Sequence, residues 1–202
     1  MTISYRLTTF AAILLLSLTS LPTGNAADVG LDRKEIAGSY PRVTIASVII
    51  SGQIVTGDAK KVEKLLDEVK RTDDGHQIRR LLIHSQGGLV GEAIQIGKMV
   101  RANNVEVFLP QGTSCISACV LILAGAKIRI INGRVGIDYP HFLQKAGPND
   151  DVPALLAEVK EVMRSYYHSM GVNERLADAT FLVPKGVVHF LTLEELYQYQ
   201  LK

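Results

Sequence analysis

The chain has 202 residues, with 22 Lys plus Arg against 20 Asp plus Glu and a formal net charge of +2. That length suits one domain with a real core, and 47% of its residues are apolar. The near-balance of charge, with no basic stripe interleaved with aromatics, argues against a nucleic-acid partner.

Residues 1–26 read as an export signal rather than as fold. Arg6 precedes an uncharged apolar run from Phe10 to Leu21, Pro22 and Gly24 break it, and Gly24-Asn25-Ala26 supplies small residues for cleavage after Ala26. The run of about 12 residues is shorter than the roughly 17 to 25 of a membrane-spanning helix. Residues 27–202 are expected as a single domain in the periplasm or outside the cell, without a stable membrane anchor after cleavage. Chemistry that needs cytosolic ATP or coenzyme A fits such a location poorly, and no cofactor is expected.

Asp28 to Arg42 reads as a polar lead-in closed by Pro41. Val43 to Ile50 is rich in β-branched residues and predicts a buried strand ending at Gly52. Thr56-Gly57-Asp58 opens a helix whose apolar face is Val62, Leu65, Leu66 and Val69. Arg79 to His84 is a second strand, Gly87-Gly88 a turn, and Leu89 to Arg101 a helix with Ala93, Ile96, Gly97 and Val100 inward. Val105 to Leu109 is a third strand. Cys115 to Ala124 is almost wholly apolar and predicts a buried helix. Lys127 to Ile131 and Arg134 to Ile137 predict further strands. Gly147 to Asp151 reads as a turn. Pro153 opens a helix to Met170 with Leu156, Val159 and Met163 on one face, and a short helix is expected at Asn173 to Ala177. Thr192, followed by Glu194 and Glu195, reads as the N-cap of a last helix. Strands alternating with helices predict an α/β fold with a mainly parallel, twisted sheet and crossover helices.

Cys115 and Cys119, four apart, invite a disulfide in an oxidising compartment. Within a regular helix the pair would share a face but with nearly parallel Cβ vectors, so two buried free thiols are the alternative. No histidine has metal-ligand spacing to them, and no metal site is expected.

Gly87-Gly88 follows a strand end, where open α/β sheets place ligands, and adjacent glycines let a backbone amide face a ligand. Ser117 lies near the start of the next buried helix, where amides lack intrahelical partners. A carbonyl bound between the two segments would have its developing oxyanion held by amides from both. The plain alternative is a small serine that hydrogen-bonds back to its own turn. His84 either faces this site as a substrate contact or caps its strand. Lys98 and Lys127 have no motif behind them and read as solvated side chains.

These segments resemble the Clp protease proteolytic-subunit and crotonase superfamily, and in particular its exported ClpP-like branch. The resemblance rests on Ser85 to Gly88, which matches S-x-G-G, and on Gly112 through Ser117-Ala118 to Ala124-Gly125-Ala126. It rests also on cysteines two residues before and two after the serine. It runs from about Val43 to Leu201 and is most specific in the middle. It implies a ClpP/crotonase-like fold, a homo-oligomer, and a peptide or protein substrate. It implies Ser117 as nucleophile and the Gly88 and Ala118 amides as oxyanion hole, with Gly87 beside them. The family's histidine follows the strand matched by Arg134 to Ile137, where this chain has Asp138. The nearest imidazole is His141, the candidate base, with Asp138 as either its orienting partner or a structural carboxylate. The nearest candidate acid is Asp178. Two functional expectations follow: an exported serine hydrolase, acting on peptide bonds, or a catalytically silent ClpP-like domain that binds a peptide or partner in the same cleft. Acyl-CoA chemistry of the crotonase kind conflicts with export.

Overall fold

The structure is a computed structural model that describes residues 26–39, 42–73, 75–140 and 151–202. The expected turn at Gly147 to Asp151 lies outside these residues except for Asp151.

Strands β1 (Asp28–Glu35), β2 (Thr44–Ser51), β3 (Gln77–His84), β4 (Glu106–Leu109) and β6 (Arg129–Ile131) form one sheet in the order β1-β2-β3-β4-β6. Strands β2, β3, β4 and β6 are parallel neighbours, whereas β1 pairs antiparallel with β2. Helices α1 (Asp58–Arg71), α2 (Val90–Ala102) and α3 (Cys119–Gly125) are the crossovers that parallel pairing requires. A second sheet, β5-β7-β8, joins β5 (Ser114–Ile116) and β7 (Arg134–Asp138) in parallel, with β8 (Val188–Phe190) antiparallel at its edge. Helices α4 (Val152–Ser169), α5 (Arg175–Leu182) and α6 (Leu193–Gln198) complete the chain.

The sequence periods explain most of this. In β2, Val48 and Ile50 are fully buried, as are Leu81 and Ile83 in β3 and Val107 and Leu109 in β4, so one face of each strand enters the core. Helix α3 is buried along its whole length, as its unbroken apolar run requires. Tyr166 of α4 reaches it with a hydrogen bond from its hydroxyl to the Leu121 carbonyl, 2.8 Å. Burial pushes the Tyr166 phenol well above its usual range, so it stays a donor. Asp151 caps α4 by accepting from the Ala154 amide. Thr192 and Glu195 form the reciprocal capping box of α6.

Three expectations need correction. The polar lead-in from Asp28 contains strand β1: its outer residues are exposed, so no apolar alternation marks it. The buried helix begins at Cys119, because Ser114–Ile116 pair with β7 as a strand before the chain turns. The short helix near Asn173 runs Arg175–Leu182. Strand β8, half exposed and only three residues long, lacks the apolar run that would announce it.

Candidate active site around Ser117

The site is built where β3 ends against β5. The Ser85 amide donates to the Ser114 carbonyl (2.9 Å), and the Ile116 amide donates to the Ser85 carbonyl (2.9 Å). The buried Ser85 hydroxyl accepts from the Gly87 amide at 3.0 Å, which turns the chain sharply after the strand. Ile54 fixes the next step from the other side: its amide donates to the Gly87 carbonyl (2.8 Å) and its carbonyl accepts from the Leu89 amide (3.0 Å). Glu92 braces that layer by accepting from the Gly57 and Ala59 amides at the start of α1 (2.9 and 2.8 Å).

Both glycines of the turn are sterically required. Gly87 and Gly88 have φ of +96° and +143°. A Cβ on Gly88 would lie 2.0 Å from the Ile54 carbonyl oxygen. A Cβ on Gly87 would lie 2.6 Å from Ser117 Cβ and 2.9 Å from the Ala118 nitrogen. The Gly87–Gly88 turn and the Ser117–Ala118 step therefore touch, backbone to backbone.

Ser117 occupies the bend between β5 and α3 in the left-handed region, with φ of +58°. A non-glycine residue there is strained by roughly 1–2 kcal/mol, and such strain persists only where the surroundings over-determine it. They do so here. The Ser117 amide donates to the Gly136 carbonyl of β7 (3.0 Å), and its carbonyl accepts from Val120 in the first turn of α3 (3.0 Å). A disulfide between Cys115 and Cys119 closes the loop around it, with Cα atoms 5.3 Å apart. Because Cys115 lies on β5 and Cys119 on α3, the parallel Cβ vectors of a continuous helix do not arise.

Within this tightly bonded layer, the Gly88 and Ala118 amides donate no hydrogen bond among the described residues. Ala118 is the N-cap of α3, and the first amides of a helix have no intrahelical acceptors. Two unpaired amides thus sit on touching segments beside a half-buried serine.

The other candidate residues are distributed as follows. His84 Nδ1 lies 3.2 Å from both the nitrogen and the oxygen of Ser114, so the ring rests on the β5 backbone. Asp138 ends β7, two residues beyond the Gly136 carbonyl that holds Ser117, and its cross-strand partner on β8 is Val188. Its Oδ1 is buried without a hydrogen-bond partner. Asp178 lies on α5, where Lys160 (2.8 Å) and Arg164 (2.6 Å) of α4 engage its two oxygens separately. The Lys160 hydrogen bond, with Arg164 beside it, holds its carboxyl below the usual carboxylate range. His141 lies outside the described residues. Lys127 bonds Asn104, and Lys98 faces a groove between α2 and α4. No group of three or more His, Cys, Asp or Glu side chains among the described residues could hold a metal ion, and no helix among them is long and apolar enough to cross a membrane.

Sequence reasoning missed two supports of this site. One is Ile54, an ordinary apolar residue in sequence whose backbone pins the glycine turn. The other is strand β8, whose Phe190 pairs with Gly136, the residue whose carbonyl holds the Ser117 amide. Its three residues, two of them exposed, gave no strand signal.

No family model matches the sequence, and no curated protein is significantly similar to it. Solved structures do match. A serine-to-alanine mutant of the 1510-N membrane-bound stomatin-specific protease aligns with a TM-score of 0.55 at 18% identity, over 78% of this chain and 75% of that one. A lysine-to-alanine mutant of the same protease in complex with a substrate peptide gives 0.56 at 19% identity, over 78% and 71%. An asparagine-to-aspartate mutant of ClpP1 from Listeria monocytogenes gives 0.55 at 20% identity, over 77% and 87%. At these identities the likeness is one of architecture: the chain has a ClpP-type α/β fold.

Proposed function

We propose that this protein is an exported serine hydrolase acting on peptide bonds. The observation that carries the reading is the pair of unpaired Gly88 and Ala118 amides on segments that touch at Ser117. Donors fixed before reaction cost no reorganisation when an oxyanion develops, which is why such pairs stabilise tetrahedral intermediates. The left-handed bend and the disulfide hold the Ser117 backbone at the mouth of α3, which supports a role for its hydroxyl there. Ser117 Oγ attacks the carbonyl carbon, its proton passes to a base, and the carbonyl oxygen takes the negative charge between the two amides. The amine then leaves with a proton, and water releases the acyl group.

His141, three residues past the end of β7 in the sequence, is the proposed base. In this reading Asp178 ties α5 to α4, since both its oxygens are already engaged by cations. The solved neighbours include a protease held with a substrate peptide, which supports a peptide as the substrate class here. Residues 1–26 are proposed as a removable export signal, checked by an intact mass that starts at Ala27. A homo-oligomer is proposed from the fold alone, and light scattering decides it.

The second reading is a silent domain that binds peptides in the same cleft. Asp138 and its apolar cross-strand partner Val188 favour it, because no histidine stands on β7 beside the serine. Labelling by a fluorophosphonate separates the two. Wild-type labelling that disappears in Ser117→Ala and His141→Ala supports the hydrolase, because a serine hydroxyl is a weak nucleophile without a neighbouring base. An unlabelled wild type supports the silent domain, and labelling that survives Ser117→Ala rejects Ser117.

A further inference from the structure

The carboxylate of Asp138 is the unresolved charge of this site. Its Oδ1 is buried and accepts no hydrogen bond, although a buried carboxylate oxygen without a donor is costly. In natural structures such a group calls for an explanation, and a catalytic role or a bound water or ion is among the usual ones. The described residues around it do not supply it. Across the sheet stands Val188. On the same strand Arg134 is stacked over the Phe190 ring at 3.4 Å, and Lys185 lies over the Tyr139 ring at 5.1 Å. No ion pair to Asp138 exists among the described residues.

Its position is equally specific. Side chains two apart on a strand share a face, so Asp138 and Gly136 point the same way. A Cβ on Gly136 would meet Val188 at 2.8 Å and Ile116 at 3.3 Å, which identifies the apolar side of that face. The Gly136 carbonyl is the atom that holds the Ser117 amide. Asp138 therefore stands about 7 Å along the strand from the anchor of Ser117, in an apolar setting that strengthens any charge interaction.

From this we infer that Asp138 is a specificity-determining residue: its half-buried carboxylate, through the unpaired Oδ1, receives a cationic group, a lysine or arginine side chain or a primary amine, of the ligand bound at Ser117. The inference rests on the proposed reading of the site for its location but not for its chemistry. A charge-assisted hydrogen bond to a buried carboxylate is among the stronger polar contacts. An isosteric apolar side chain would leave Oδ1 buried and unpaired.

The test uses two peptide diphenyl phosphonates that differ only in the residue bearing phosphorus, lysine or norleucine. In the reactive protein, Ser117 Oγ forms a bond to phosphorus as one P–O bond breaks, and phenol leaves carrying the serine proton. Equilibrium binding of both probes is also measured by calorimetry in the Ser117→Ala chain, where no bond can form. The lysine probe should bind that chain about tenfold or more tighter than the norleucine probe. Adding Asp138→Asn should bring the two within about threefold, since a neutral amide discriminates far less. The unfolding midpoint of Asp138→Asn should not fall, because no partner among the described residues is lost; a fall would mean that the carboxylate is a structural group and would overturn the inference. Equal binding of the two probes to Ser117→Ala also overturns it, even if the wild type is labelled and the hydrolase reading stands. Conversely, an Asp138-dependent lysine preference in a wild type that neither probe labels keeps the inference and removes the hydrolase.

Discussion

Replacing Gly87 by alanine tests whether the glycine turn and the serine bend are as tightly locked as their geometry requires. The new Cβ would sit 2.6 Å from Ser117 Cβ and 2.7 Å from the Ile116 carbonyl oxygen. Neither neighbour is the end of a flexible side chain, so backbone must move. The residue also has φ of +96°, which disfavours any L side chain by roughly 1–3 kcal/mol. Overpacking a rigid contact adds about 1–3 kcal/mol. Together they predict a loss of about 2–6 kcal/mol, a large part of the roughly 5–15 kcal/mol that stabilises a typical domain. Gly91, four residues on and inside α2, is the matched control: its added Cβ meets nothing within 4 Å and its φ is negative. Gly91→Ala should stabilise by about 0.4–1 kcal/mol, because alanine restricts the unfolded chain and suits a helix. Urea denaturation followed by far-ultraviolet circular dichroism measures both. Opposite signs support the packing described for the site. A Gly87→Ala loss under about 0.5 kcal/mol would refute it, since normal surface substitutions fall in that range. The same variant should also slow fluorophosphonate labelling about a hundredfold, because a displacement near 1 Å at a reacting group has that effect.

Two further outcomes are expected. Replacing Cys115 and Cys119 together by alanine should cost roughly 2 kcal/mol, since the closed loop is very short, and should slow labelling disproportionately by releasing the bend at Ser117; two titratable thiols in freshly isolated wild-type protein would refute the bridge. The carboxyls of Asp178 and Glu195 are held below their ordinary range, the first mainly by Lys160 and the second mainly by the Thr192 amide. A depressed folded pKa gives stability that is present above the unfolded value and lost as pH falls through the folded one, so urea midpoints should decline below about pH 4. The decline should shrink in Asp178→Asn, but only in part, because the partly exposed ion pairs around it are weak; an unchanged acid limb in that variant would show that those pairs contribute nothing.

Much of the fold is legible in the chain because burial repeats with a period. Val43 to Ile50, Arg79 to His84 and Val105 to Leu109 announce strands by their apolar runs, and α1 announces itself by Val62, Leu65, Leu66 and Val69. The glycine pair at 87 and 88 and the serine between two cysteines are local signals as well. Each depends on what one short segment must do with its own backbone. The proposed export signal belongs to the same class of reading, carried by charge, apolar length and small residues.

Other features have no local cause. Strand β1 is polar and forms because β2 offers it a free edge. Ile54 matters through two backbone hydrogen bonds that its side chain does not reveal. The helix expected from Cys115 starts four residues later because Ser114–Ile116 find β7 as a partner, and backbone pairing outweighs an apolar pattern that suits either state. That same pairing puts Cys115 on a strand and Cys119 on a helix, which turns a doubtful bridge into a feasible one. The unpaired Gly88 and Ala118 amides and the orphaned oxygen of Asp138 are facts about what is missing around a group. A sequence names each donor and acceptor. Only the folded chain, by bringing distant segments within about 3 Å of one another, decides which of them are satisfied.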